Sequence, residues 1–272
     1  MSSSIPFPEW LSIAEGLAQE ASQAILGFLN NPIVTSRKAD HSLVTEADLR
    51  SDEILRGGLA EHFPGHAILT EENGLSGDPN SEFVWLIDPL DGTKAFAKGI
   101  PGFCVMVGLL QAGRPCLGVL VDPLEGRVYR GQRGMGATHT WRGRTQVLRV
   151  SERSEMPEMP LVVSTGFPET ALKKIQAALP GPLLSPINSV GIKVGLLVRR
   201  EADIYINHHE VNYWDTCAPQ LILEEAGGVF TNLDGGELAY PLIPPFNHRM
   251  KTLASNGARH RELVKILKSV PL

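Results

Sequence analysis

The stretch Phe83-Val84-Trp85-Leu86-Ile87-Asp88-Pro89-Leu90-Asp91-Gly92-Thr93 joins a short apolar run to a polar turn sequence. Consecutive apolar residues bounded by a turn signal read as a buried strand, so Asp88 is delivered at a strand end. Pro89 fixes its own φ and biases Asp88 toward an extended conformation. The spacing therefore predicts a sharp turn that brings Asp91 back to the side occupied by Asp88. Two carboxylates facing one point repel unless a cation lies between them, and all-oxygen ligands suit Mg²⁺ or Mn²⁺ better than zinc. Gly92 presents no side chain to an incoming anion, and the N–H groups of Gly92 and Thr93 are available to phosphate oxygens. The same residues also read as an Asp-Pro-x-Asp-Gly β-turn of a kind common on protein surfaces.

Further acids stand at comparable places. Ala67-Ile68-Leu69 is a second short apolar run, followed after Thr70 by Glu71-Glu72. Asp215 follows Trp214 and opens a run through Leu223 with helical spacing, which Gly227 and Gly228 terminate. Thr45 and Asp48 stand three apart ahead of the apolar positions Ile54, Leu55 and Leu59. Each has a structural alternative: a solvated strand end for Glu71-Glu72, a helix N-cap for Asp215, and a variant capping box for Thr45 and Asp48.

Taken together, these segments resemble the lithium-sensitive, magnesium-dependent phosphatase family that includes inositol monophosphatases and 3'(2'),5'-bisphosphate nucleotidases. The resemblance covers nearly the whole chain. It is carried by Lys38-Ala39-Asp40-His41-Ser42-Leu43-Val44-Thr45-Glu46-Ala47-Asp48, Glu71-Glu72, Asp88-Pro89-Leu90-Asp91-Gly92-Thr93-Lys94-Ala95-Phe96, Trp214-Asp215-Thr216-Cys217-Ala218-Pro219 and Glu225-Ala226-Gly227-Gly228. The resemblance implies that Glu71, Asp88 and the Leu90 carbonyl hold one Mg²⁺, and that Asp88, Asp91 and Asp215 hold a second. A third, weaker ion would lean on Glu71. It casts Asp48, Thr93 and Glu71 as the catalytic residues, with Asp48 orienting the Thr93 hydroxyl and that hydroxyl orienting the water that attacks phosphorus. Phosphate-ester hydrolysis needs an activated water, neutralised phosphoryl oxygens and a stabilised leaving oxygen, and such a donor set answers those needs without a serine or cysteine nucleophile.

With 272 residues, 43% of them hydrophobic and 20% charged, the chain can bury a large core. A net charge of −5 and the lack of a basic run argue against a polymeric nucleic-acid partner. Cys104, Cys116 and Cys217 are scattered in neither a disulfide nor a zinc pattern, which fits a reducing cytoplasm. The first ten residues lack a signal-peptide pattern, and no apolar stretch approaches the roughly 20 residues that span a bilayer. The expectation is therefore a cytoplasmic protein without a membrane partner, acting on a small phosphate ester as a monomer or homodimer. The pair His208-His209 lacks the spacing of a metal motif and reads as surface or loop.

Leu11, Ala14, Ala18, Ala21, Ile25 and Phe28 predict a first amphipathic helix, and a second is expected from about Glu46 to His62. Phe103 to Leu110 and Cys116 to Val121 read as a β-hairpin. Between Gly131 and Gly143 glycines accumulate and apolar runs stop, which predicts a loop with a short strand turn. The segment from Ser151 to Pro160 is the expected boundary between an N-terminal half, residues 1–155, and a C-terminal half, residues 156–272. Beyond it, strand-like and helix-like segments alternate. The pattern gives a mixed α/β fold, which the resemblance sharpens to a layered α-β-α-β-α sandwich of the inositol monophosphatase and fructose bisphosphatase type.

For the substrate, Ser189-Val190-Gly191-Ile192-Lys193, the Trp214 to Pro219 phrase and Lys94 after Thr93 look more like the bisphosphate nucleotidases. Ser189 and Lys193 thus join Gly92 and Thr93 as expected phosphate or substrate contacts, with Lys193 offering a compact charge for a second phosphate. A surface lysine reads equally at that position. The expected reaction is hydrolysis of 3'-phosphoadenosine 5'-phosphate to AMP. Ala95 stands where the nucleotidases usually carry glutamate, which leaves inositol, histidinol and sugar phosphates open. The non-enzymatic alternative is a silent sensor that binds Mg²⁺ and a phosphorylated ligand.

Overall fold

The computed structural model describes residues 7–29, 33–37 and 43–270. Lys38 to Ser42, at the front of the first shared motif, lie outside the described residues. Helix α1 (Phe7–Phe28) buries Leu11, Ala14, Ala18, Ala21 and Ile25 along one stripe, as the 3.6-residue repeat requires. A ribbon of β1 (Thr35–Arg37) and β2 (Leu43–Thr45) leads into α2 (Glu46–His62). Strands β3 (Ala67–Thr70), β4 (Gly74–Ser76) and β5 (Phe83–Asp91) follow, then the single turn α3 (Thr93–Phe96). With β6 (Cys104–Gln111), β7 (Arg114–Asp122), β8 (Arg127–Gln132), β9 (Gly136–Trp141) and β10 (Arg144–Val147) they form an eight-stranded sheet in the order β10-β9-β8-β7-β6-β5-β3-β4. Only β3 and β5 pair in parallel within it.

After a 3₁₀ turn at Met156–Glu158 come β11 (Leu161–Val163), α4 (Glu169–Ala178), α5 (Val190–Val198), β12 (Ile204–Asn207), α6 (Tyr213–Glu225), β13 (Val229–Asn232), β14 (Thr252–Ser255) and α7 (His260–Lys268). The strands make a second sheet in the order β11-β12-β14-β13.

The layers follow from residues that alternate between two cores. In β5, Phe83, Trp85 and Ile87 pack with α1 and α2, whereas Val84 and Leu86 face α5 and α6. In β12, Tyr205 faces α5 and α6, whereas Ile204 and Ile206 pack with α4 and α7. A continuous apolar run buried on both faces is what a central strand requires. The result is the α-β-α-β-α sandwich, with α5 and α6 between the sheets. Helix α6 sits unusually close to the larger sheet because Gly108, Gly118 and Gly131 are cross-strand neighbours on β6, β7 and β8. A Cβ at Gly108 would lie 2.6 Å from Cys217 Sγ, and one at Gly118 would lie 2.9 Å from Ala218 O. This glycine row sets the depth at which α6 presents Asp215.

Two expectations need correction. The chain does not turn sharply at Pro89: β5 runs on through Asp91, with Asp88 paired to Met106 and Asp91 to Cys104. Pro89 and Leu90 thus oppose Val105 alone, a β-bulge. Residues three apart in an unbroken strand face opposite sides, and the extra residue restores Asp91 to the face of Asp88. The Ser51 hydroxyl of α2 braces the bulge by donating to Pro89 O at 2.7 Å. The region from Gly131 to Gly143 is not a loop but parts of β8 and β9 with their turns. Its glycines serve positive-φ turns at Gly134, Gly136 and Gly143, and close approach of α6 at Gly131.

Candidate active site

The bulge of β5, the end of β3 and the first turn of α6 converge on one cleft of about 270 Å³. Glu71, Asp88, Leu90, Asp91, Gly92, Thr93 and Asp215 all line it. Parallel pairing of β3 with β5 continues one residue further through Glu71 N–H, which donates to Ile87 O at 3.2 Å, so Glu71 lies beside Asp88. The following loop is tied down by Asn73, whose amide donates to Asp52 at 2.5 Å while its backbone N–H donates to Thr70 Oγ1 at 2.9 Å. Asp215 is not an N-cap. It sits in the first turn of α6, with Oδ2 accepting from Asn212 N–H at 2.7 Å.

The electrostatics of this acid set are unfavourable to ionisation. Burial pushes Asp88 well above the carboxylate range, and the charges of Glu71, Asp91 and Asp215 push it further; the Leu90 N–H only partly offsets them. Asp215 is driven up to about 8, first by burial and then by Asp91 and Glu71. Asp91 is also raised by burial, but less freely, because its Oδ2 accepts from Ser189 Oγ at 2.6 Å and Gly191 N–H at 2.8 Å, with Cys104 Sγ 3.7 Å away. Among the described residues no three carboxylate, imidazole or thiol groups stand at ligating distance around one point. The case for a cation therefore rests on the donor set: several buried carboxylates that raise one another's pKa, with a backbone carbonyl beside them, are hard oxygen donors suited to Mg²⁺.

Asp48 fulfils both of its readings at once. Oδ2 closes the capping box of α2, accepting from Thr45 N–H at 2.8 Å and Thr45 Oγ1 at 2.5 Å. Oδ1 accepts from Thr93 Oγ1 at 3.0 Å, and the same hydroxyl lies 3.1 Å from Leu90 O. The cap fixes the carboxylate, and the fixed carboxylate aims the Thr93 hydroxyl. Asp48 itself is buried beneath the cleft floor.

Three expected substrate contacts change meaning. The glycine at 92 is demanded by the fold rather than by anion clearance: its φ is 98°, and a Cβ there would lie 2.4 Å from Gly102 O. Gly92→Ala is expected to cost about 2–4 kcal/mol of stability, read as a lower urea midpoint at unchanged slope; an unchanged midpoint would show that the 92–103 contact relaxes freely. Ser189 is fully enclosed, and its hydroxyl serves Asp91 and the Ile192 N–H at the start of α5, so it does not face substrate. Lys193 points inward too. Its ammonium donates to Ser164 Oγ, Ile187 O and Asn188 O at 3.0, 2.9 and 2.8 Å, which leaves no donor for a second phosphate.

Besides Lys94, which the sequence already singles out after Thr93, other residues reach the cleft without a local signal in the sequence: Ser164, Thr165, Asn188, Asn207, His209 and Glu210. They come from the last position of β12 and from the loops after β11, α4 and β12, and only the tertiary fold brings them to β5. His209 belongs to the pair read as surface or loop; it is exposed and lines the cleft.

Comparison with known proteins identifies the family. A profile described as the inositol monophosphatase family matches residues 8–271. Inositol-1-monophosphatase of Synechocystis sp. is 31% identical over 270 residues, covering 96% of this chain and 90% of its own length. The 3'(2'),5'-bisphosphate nucleotidase CysQ of Aggregatibacter actinomycetemcomitans is 31% identical over 230 residues, covering 82% and 84%. The solved structure of an inositol monophosphatase from Anabaena (Nostoc) sp. superposes with a TM-score of 0.80 at 30% identity, covering 97% of each chain. Among the described residues no helix is long and apolar enough to cross a membrane. The chain belongs to the inositol monophosphatase family of metal-dependent phosphatases.

Proposed function

We propose that this protein is a Mg²⁺-dependent phosphomonoesterase acting on a small hydroxylated monophosphate, of which inositol 1-phosphate is representative. The observation that carries this is the meeting of Glu71, Asp88, Asp91 and Asp215 in one cleft with the Thr93–Asp48 hydrogen bond. Glu71, Asp88, the Leu90 carbonyl, Asp91 and Asp215 would hold two or three Mg²⁺ ions. Bound Mg²⁺ supplies positive charge to the phosphoryl and leaving oxygens and acidifies water. Thr93 Oγ1, donating its hydrogen bond to Asp48, keeps lone pairs to accept from the attacking water and holds it for in-line approach to phosphorus. Gly92 and Thr93 contribute first-turn N–H groups that lack intrahelical acceptors and suit phosphate oxygens. Around the cleft stand Ser164, Thr165, Asn188, Asn207 and Glu210, whose hydroxyl, amide and carboxylate groups suit substrate hydroxyls, with Lys94 and His209 as the basic residues beside them.

The preference for 3'-phosphoadenosine 5'-phosphate loses its main support with Lys193 turned inward. It remains the second reading because Lys94 is exposed at the cleft and a nucleotidase is among the relatives. Ala95 is buried, so no carboxylate stands at that position. The same proposal takes residues 1–155 and 156–272 as two halves meeting at the cleft, in a cytoplasmic monomer or homodimer.

Phosphate release from inositol 1-phosphate, histidinol phosphate, fructose 1,6-bisphosphate and 3'-phosphoadenosine 5'-phosphate, with Mg²⁺ and with EDTA, tests the function. The expected result is turnover only with Mg²⁺ and the highest kcat/KM for inositol 1-phosphate. A winning bisphosphate nucleotide would restore the second reading. Binding without turnover of any ester would instead make the protein a sensor.

A further inference from the structure

Lys193 is fully enclosed, and the chemistry proposed above makes no use of it. Burying an ammonium is costly unless its donors are all met and its charge is balanced, so a lysine kept there needs an account. Its three donors are met by Ser164 Oγ, Ile187 O and Asn188 O, and Nζ stands 4.8 Å over the ring of Tyr205. Ser164 follows β11, whereas Ile187 and Asn188 end the loop that leads into α5. One ammonium thus joins two separate stretches of chain, and both Ser164 and Asn188 line the cleft. In the same first turns of α5, Ser189 Oγ and Gly191 N–H hold Asp91 by hydrogen bonds that do not involve the lysine, while the carboxylates of Asp91 and Asp215 are the charges that balance its ammonium.

We propose that Lys193 is a positioning residue for substrate choice: its ammonium pins the Ser164 and Asn188 wall of the cleft in the register that meets the alcohol part of the ester. The inference rests on the phosphomonoesterase reading above. A wall built to hydrogen-bond a substrate hydroxyl discriminates strongly against an ester lacking one, and it does so only while its groups are held in place. A reacting phosphate on the carboxylate side does not depend on that wall.

The test compares wild type with Lys193→Met, which keeps an unbranched chain one atom shorter and removes every donor. Each is assayed at saturating Mg²⁺ on its preferred ester from the panel above and on 4-nitrophenyl phosphate, which offers no hydroxyl. The expected result is a rise of about tenfold or more in KM for the hydroxylated ester, less than about threefold for the aryl ester, and a half-saturating Mg²⁺ concentration within about twofold of wild type. Equal KM rises on both esters, no rise, or a large shift in Mg²⁺ dependence would overturn the proposal, since each assigns Lys193 to general folding or to the carboxylates. If Lys193→Met does not fold, Tyr205→Leu carries the test by removing the ring beneath the ammonium, with Tyr205→Phe as its control. A selective rise of about threefold for Tyr205→Leu, absent in Tyr205→Phe, supports the proposal, and any other pattern overturns it. If wild type with Mg²⁺ releases phosphate from neither ester, the phosphatase reading fails and takes the proposal with it, an outcome visible before any variant is made.

Discussion

Asp215→Asn is expected to lower Mg²⁺-dependent turnover by about a hundredfold or more and, at the same time, to raise the thermal midpoint of the metal-free protein. Both effects come from one charge. The amide keeps the side-chain shape and an acceptor for Asn212 N–H, so the first turn of α6 survives. What disappears is a carboxylate whose pKa burial, Asp91 and Glu71 drive up to about 8. Because its proton is held more tightly in the folded chain than in the unfolded one, the stability this group contributes is fully present below about 3.8. It is lost as pH rises through about 8. In EDTA the gap between variant and wild type should therefore open from pH 5 to pH 9, reaching about 2 °C or more at the alkaline end. Added Mg²⁺ should raise the wild-type midpoint by more than the variant's, because the variant keeps Glu71, Asp88 and the Leu90 carbonyl for one ion but loses a ligand of the other. Near wild-type turnover at saturating Mg²⁺ would remove Asp215 from the ligand set. A variant less stable than metal-free wild type at pH 9 would show that hydrogen bonding, not charge crowding, dominates there. On this expectation the buried acids of the cleft are a standing destabilisation of the metal-free fold, which a bound cation would offset.

How far the chain could be read in advance depended on whether the deciding interaction was local. Helices α1 and α2, strand β5 and the β6–β7 hairpin follow from periodicity and turn residues within short windows, and they form where expected. Strands β8 and β9 were obscured because Gly131, Gly134 and Gly136 break the apolar pattern, although Gly131 is there to admit α6. Strands β13 and β14 are four residues each like β3, but they mix polar with apolar positions and lack the continuous apolar run that marks β3. The bulge in β5 was equally opaque, since Pro89 marks a local break in either geometry and only the register against Met106 and Cys104 distinguishes a turn from an extra strand residue. In the site, residue type was legible but direction was not. Ser189 and Lys193 carry suitable groups in the right region, yet Asp91 claims one and the carbonyls of Ile187 and Asn188 claim the other. The braces Ser51, Asn73 and Cys104 left no mark, because their partners Pro89, Asp52 and Asp91 lie well away in sequence.

Thr93→Val should reduce kcat by about 10²- to 10³-fold with KM changed less than about threefold, whereas Thr93→Ser should keep most of the activity. The hydroxyl is the group that matters: it donates to Asp48 Oδ1 at 3.0 Å and is thereby left to accept from the attacking water. Valine matches threonine in shape and β-branching, so the first turn of α3 is retained while the contact is lost. Asp48→Asn separates the chemical role of that residue from its capping role. One carboxylate oxygen accepts from Thr45 N–H and Oγ1, and the other accepts from Thr93 Oγ1. An amide offers only one oxygen. If the oxygen stays on Thr45, the helix cap survives, the amide N–H₂ opposes the Thr93 hydroxyl, and turnover falls with little change in melting temperature. If it turns to Thr93, the cap is lost at about 1 kcal/mol and activity persists. The first outcome is expected, because the cap is the more buried contact and the Thr93 hydroxyl can still donate to Leu90 O at 3.1 Å. A loss expressed only in KM for both Thr93→Val and Asp48→Asn would instead make Thr93 a ground-state phosphate contact and leave Asp48 as a helix cap alone.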